Sequence, residues 1–203
     1  GESLTGGIIT ESCSAGDVTA YDYSGGLAGA NSGEITACYS LCTVKGDSDV
    51  GGLVGGNSGP IADSFAAGSV IGMNQTGGLV GSSTSATVIG CYWDTETSDQ
   101  SASAGGAGKT TAEMKQRTTF ENWDFVAIWD INAGFNDGYP FLRWQDDVPP
   151  VLSETGADSL TDTTATLNFT SDKSGIYYYL VYEAAEDAPN ATAIKAQGEA
   201  AAK

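Results

Sequence analysis

A five-residue phrase is written three times in this chain at an interval of 26 residues, as Gly25-Gly-Leu-Ala-Gly29, Gly51-Gly-Leu-Val-Gly55 and Gly77-Gly-Leu-Val-Gly81. A fixed period of this length marks stacked repeats and limits the fold to solenoids and arrays. The text between the phrases repeats too. Asn31-Ser-Gly-Glu-Ile35 answers Asn57-Ser-Gly-Pro-Ile61, and Ile9, Cys13/Tyr39/Phe65 and Val18/Val44/Val70 keep the same frame. A last, altered copy ends in Val88-Ile-Gly-Cys-Tyr-Trp93, one residue out of step. The apolar pieces are short and bounded by Gly, Asn and Ser, which is the grammar of strands. Three strands and three turns per period fit one coil of a β-solenoid, with coils about 4.8 Å apart. The expected inward columns are Leu27/Leu53/Leu79, Ile9/Ile35/Ile61, Cys13/Tyr39/Phe65 and Val18/Val44/Val70. The paired glycines allow either a positive φ or a close backbone approach at a corner. The expected class is all-β.

The pattern GGLVGxNxGxI followed by an aromatic and a valine resembles the GLUG repeat, over roughly Gly6–Trp93. Cys42, where neighbouring copies have Gly16 and Gly68, and Ala28 in place of Val depart from it. The resemblance implies a secreted bacterial surface protein. Adhesin-like proteins and the non-catalytic parts of IgA-specific metallopeptidases carry such repeats.

Composition narrows the partners. The chain of 203 residues carries 26 acidic and 8 basic side chains, a net charge of −18. Nucleic acids and anionic membrane surfaces require a cationic footprint, so neither is expected as a partner. No run of 18 apolar residues is present to span a bilayer, and no signal peptide is recognisable. The chain begins inside a repeat and reads as a fragment of an extracellular protein. Its four cysteines are Cys13, Cys38, Cys42 and Cys91. Cys38 and Cys91 share a column with Ser12 and Ser64, which favours small interior fillers over a disulfide. With no histidine and no CxxC, zinc has little to bind.

Beyond the repeats, Thr95–Gly108 reads as a Ser/Ala/Gly loop, and Thr110/Thr111 cap a short helix over Thr111–Arg117. Aromatic residues then crowd together, including three of the four tryptophans, Trp123, Trp129 and Trp144. This segment resembles the one that follows the last repeat in GLUG-containing proteins. It is expected to plug the open end of the solenoid as an aromatic cap, the alternative being a platform for sugar rings built on Trp123 and Trp129. Val148-Pro-Pro150 reads as a linker. Alternation at Ala165–Phe169, a turn at Asp172–Gly175 and the run Gly175–Tyr182 are sandwich signals. They resemble the opening half of an Ig-like or fibronectin-III-like module, truncated, with a helix-favouring tail over Ala191–Lys203. The expected organisation is therefore 1–94 solenoid, 95–147 loop, helix and cap, and 148–203 partial β-sandwich.

Catalytic motifs fail one by one. Gly108-Lys-Thr110 lacks the first glycine of a P-loop, since residue 103 is Ser103. Asp130-Ile-Asn-Ala-Gly134 has Phe135 and Phe141 where a calcium loop needs Gly and Glu. No cofactor is expected. Weak calcium binding stays open at Asp47/Asp49 or at Asp94/Glu96/Asp99. Nucleophile–base chemistry lacks its histidine. Lys45 is the sole basic side chain before Lys109, poor equipment for a lyase acting on acidic polysaccharide. The expected function is a non-enzymatic stalk or adhesive segment at the bacterial surface, binding host or matrix glycan or protein. The alternatives are an accessory region of an extracellular protease and a carbohydrate-active β-helix enzyme.

Overall fold

The strands of this chain take their hydrogen-bond partners one period away. Leu27 N donates to Leu53 O at 2.9 Å and Leu53 N to Leu79 O at 2.9 Å, while Ile35 N donates to Pro60 O at 3.0 Å. In the computed structural model, which describes residues 1–3, 5–146, 152–158 and 166–171, two units are present, Gly1–Asp147 and Val148–Lys203. The first is a parallel β-solenoid of about four turns with few helices. Each of the first three coils contributes five short strands to five parallel ladders, not the three expected, and the fourth contributes three. In one coil the five are Ala28–Asn31, Glu34–Thr36, Tyr39–Ser40, Thr43–Lys45 and Ser48–Gly51. The expectation took Glu34–Thr36 and Tyr39–Ser40 as one piece and missed Ser48–Gly51, because it counted apolar pieces. A ladder needs only backbone groups, and glycine-rich or polar segments supply those equally well.

At the corners, the paired glycines take the second of the two roles expected of them. Two columns of non-glycine residues take a left-handed conformation, Glu11/Ala37/Asp63 and Tyr23/Asp49/Gln75. None of the paired glycines of the phrase does so. Their role is close approach. A Cβ at Gly51 would run into the carbonyl oxygen of Val54, and one at Gly52 into that of Gly78.

Strand alternation divides the core in two. Inside the coils lie Ile35, Leu53, Ile61, Leu79, Cys38 and Cys91, with a smaller cluster of Val44, Val50 and Val70. The column Cys13/Tyr39/Phe65 belongs elsewhere. Its chain neighbours Ser40 and Ala66 turn inward towards Gly26 and Gly52, so Tyr39 and Phe65 face out. They stack at 5.0 Å between ring centroids.

The aromatic segment therefore covers this outward column and does not plug the open end. Trp129 and Trp123 lie 6.1 and 6.3 Å from Phe65 between ring centroids. The segment spans the whole array. Trp123 Nε1 donates to Gly90 O in the last coil at 2.8 Å, and Trp144 Nε1 to Glu11 O in the first at 3.1 Å. Gln145 accepts from Tyr39 Oη at 3.0 Å on the way. The end of the last coil is filled instead by Trp93, whose ring packs on Gly78 and whose Nε1 donates to Gln100 O at 3.0 Å. The stretch expected as a loop continues the stacking there. Gly78 N donates to Ala102 O at 3.0 Å, and Ala107–Lys109 pairs with Tyr92–Asp94. The helix is shorter than expected, Thr111–Met114, with Thr110 and Glu113 forming a reciprocal capping box and a 3-10 turn following at Arg117–Thr119.

In the second unit, Leu152–Asp158 pairs antiparallel with Thr166–Ser171, the register shifting between Ser153 and Gly156. The expected linker at Val148–Pro150, turn at Asp172–Gly175, strand at Gly175–Tyr182 and helix at Ala191–Lys203 lie outside the described residues. Among the described residues, no helix is long and apolar enough to cross a membrane.

Candidate ligand groove

The ladder that follows the glycine phrase carries almost no side-chain bulk on its outer face. Ala30, Gly56 and Ser82 stand in register across three coils, and a groove of about 610 Å³ opens over them. Tyr23 occupies a left-handed corner at φ 53° and lies against Gly56, where a Cβ would come within 2.7 Å of its Cδ1. The residue is still 55% exposed. Past the ends of the strands runs a row of hydroxyls, Ser32, Ser58 and Thr84, with Thr84 Oγ1 donating to Ser58 Oγ at 3.1 Å.

Two polar devices stiffen the groove. Asp49 sits one coil along from Tyr23, and its carboxylate accepts from Ser48 Oγ at 2.9 Å and from Ser82 Oγ. Within the groove lining, Asn31 Nδ2 donates to Asn57 Oδ1 at 2.9 Å. Asn57 Nδ2 is buried and has no partner. A buried amide donor left unpaired costs about 1–3 kcal/mol, so the groove lining holds unsatisfied polar capacity.

The residues singled out from the sequence lie elsewhere. Trp123 is 6% and Trp129 0% exposed, sandwiched in the aromatic seam with ring centroids 4.4 Å apart, so neither offers an open face to a sugar ring. The outward column of Tyr39 and Phe65 has to be covered, and these indoles cover it. Asp94 of the candidate calcium group is fully committed. Its Oδ1 caps the helix Thr95–Ser98 through Glu96 N and Thr97 N at 2.9 and 3.1 Å. Its Oδ2 accepts from Thr111 Oγ1 and Tyr139 Oη, each at 2.7 Å. Glu96 accepts from Thr111 N at 2.8 Å, and Asp99 is the left-handed C-cap of that helix. Asp47 lines a shallow surface beside Tyr21 and Lys45. Among the described residues no three His, Cys, Asp or Glu side chains gather to hold a metal ion.

All four cysteines are free thiols. Burial pushes the Cys38 thiol up to about 11 and the Cys91 thiol up to about 12, against backbone hydrogen bonds that pull the other way. Burial also raises Tyr39 to about 12. Tyr23, Ser32, Ser58 and Thr84 escaped the sequence reading, which followed the inward columns. The signal was the outward set, a column of small residues at 30, 56 and 82 beside a tyrosine corner.

No family model matches the chain. A protein of Evansella cellulosilytica named "Putative Gly-rich membrane protein" is 42% identical over 59 residues, which make up 28% of this chain and 6% of that protein. The crystal structure of a "putative immunoglobulin A1 protease" from Bacteroides ovatus superposes with a TM-score of 0.52 at 20% identity, over 68% of this chain and 58% of that one. The chain thus spans a small part of the one and little more than half of the other. What it shares with the solved protein is the fold.

Proposed function

We propose that the chain is a non-catalytic segment of a secreted bacterial surface protein, a β-solenoid stalk that presents or makes a binding surface for host glycan or protein. The observation that carries this reading is the aromatic segment strapped along the coils from Gly90 to Glu11, which turns a stack of repeats into one stiff body. Stiffness is what a presenting element needs, and the open groove beside Tyr23 gives that body a face to present. The name of the Evansella relative, a membrane protein, supports a place at the cell envelope. The test is to incubate the purified chain with mucin, matrix proteins and a glycan array while assaying the same mixtures for products. Retention without cleavage is expected. Release of reducing sugar, unsaturated uronate or peptide fragments would overturn the non-catalytic assignment.

The likeness to the Bacteroides ovatus protein favours a second reading, an accessory region of a large extracellular protease whose catalytic domain lies outside this chain. The parent reading frame separates the two. A His-Glu-x-x-His helix elsewhere in it supports the protease arm, whereas further repeats with a cell-wall or membrane anchor support the stalk.

A further inference from the structure

We propose that the groove over Ala30, Gly56 and Ser82 is a binding site for a neutral, hydroxyl-rich oligosaccharide, one of whose sugar rings lies against Tyr23. The inference rests on reading the chain as a binding surface and gives that surface a place and a ligand class.

Four observations carry it. The floor is flat at Ala30, Gly56 and Ser82 because these residues are small and in coil register, so the ring of Tyr23 lies close on the backbone and a sugar ring can lie on it. Tyr23 lies with its ring over Gly56, the middle position of that floor, and more than half the residue is exposed. A tyrosine ring offers an apolar face to the C–H face of a pyranose and keeps its hydroxyl for hydrogen bonding. The polar groups around it are of the kind that sugar hydroxyls pair with. They are the hydroxyls of Ser32, Ser58 and Thr84, and a carboxylate, Asp49, already oriented by two serines. Finally, Asn57 lines the groove, and its Nδ2 is a buried donor without a partner.

Size and charge narrow the class. At about 610 Å³ the groove falls within the range of small-molecule sites. Glu2 lines it, Asp49 adjoins it, and no Lys or Arg side chain is among its lining residues. A uronate or sulfated sugar would meet like charge here and in the net −18 of the whole chain. A neutral sugar meets acceptors for its hydroxyls.

The test titrates the full chain with a panel of neutral oligosaccharides by calorimetry, with polygalacturonate and heparin as anionic probes. At least one neutral oligosaccharide is expected to bind, and Tyr23→Ala to weaken it by about tenfold or more. Gly56→Ala places a methyl group against the Tyr23 ring, a flexible side chain that can swing aside, and is expected to weaken the same ligand. Asp49→Asn keeps a residue suited to the left-handed corner and is expected to loosen binding several-fold. Val126→Ala, on an 81% exposed side chain of the aromatic segment, should leave affinity unchanged. Melting temperatures of all four variants separate lost binding from lost fold. Full affinity in a folded Tyr23→Ala protein would overturn the proposal, as would a preference for the anionic probes. Silence of every neutral oligosaccharide at millimolar concentration would do the same. Mucin or matrix protein retained equally by Tyr23→Ala would overturn the groove and spare the binding stalk, silence on every probe would overturn the groove and leave a stalk that only presents, and release of cleavage products would overturn the stalk itself.

Discussion

Cys38 and Cys91 share a column with Ser12 and Ser64, and all four side chains donate to the carbonyl two residues back. The distances are 2.7 Å for Ser12, 3.2 Å for Cys38, 2.7 Å for Ser64 and 3.2 Å for Cys91. The column asks for a small donor, so thiol and hydroxyl interchange. Because burial raises both thiols above their ordinary value of 9.0, they are protonated and shielded at neutral pH. Maleimide at pH 8 is expected to spare Cys38 and Cys91 in the folded chain and to modify them once urea unfolds it. Labelling at equal rates in both states would refute this. The same shifts fix the sign of the alkaline response. The unfolded thiols ionise first, so their contribution to stability is whole below about pH 9. It is lost as pH rises towards the folded values of about 11 and 12. A urea midpoint that climbs over that interval would contradict it. Asp94 is the other decisive residue, holding a helix N-terminus, Thr111 and Tyr139 with one buried carboxylate. Asp94→Ala removes a cap and two hydrogen bonds to a charge, and is expected to cost about 3 kcal/mol of unfolding free energy. A loss under about 1 kcal/mol in urea titration would show that the rest of the chain holds these groups unaided.

At the scale of the elements, the glycine phrase is a packing device. Gly51 sits where a Cβ would overlap the Val54 carbonyl oxygen and crowd Gly81 N at 2.7 Å, both backbone atoms with no rotamer to change. Gly51→Ala is therefore expected to destabilise the solenoid by about 3 kcal/mol, the upper end of ordinary overpacking, and thermal unfolding within a degree of the parent would refute it. The period, the β class and the inward Leu, Ile and Val columns were legible in the sequence, because stacking forces like residues onto like at 26-residue intervals. The outward turn of Tyr39 and Phe65 was not. An aromatic column reads as core wherever it is buried, and only the pairing of Ser40 and Ala66 with Gly26 and Gly52 reveals that here a second layer buries it. The two tryptophans were misplaced for the same reason. Their crowding was plain, but what they cover depends on which face of the ladder is apolar. The ligand groove was hidden more deeply, since its defining residues are conspicuous for being small.

For the molecule as a whole, charge opposes compaction. With 26 acidic and 8 basic side chains and a net −18, the folded chain concentrates like charges that the unfolded chain spreads apart. Added NaCl is expected to raise the thermal midpoint, through screening on the scale of the Debye length; a midpoint that falls or stays put between low and high salt would count against it. The aromatic strap has a further consequence, which concerns how such an array can change by gene duplication. Solenoids gain and lose coils freely when each coil touches only its neighbours. Here Trp123 is fixed to the last coil at Gly90 and Trp144 to the first at Glu11. An inserted coil would move those two anchors apart by about 4.8 Å, and a deleted one would slacken the strap by as much. The segment after the repeats thus acts as a gauge of copy number, and its length and the number of coils can drift only together.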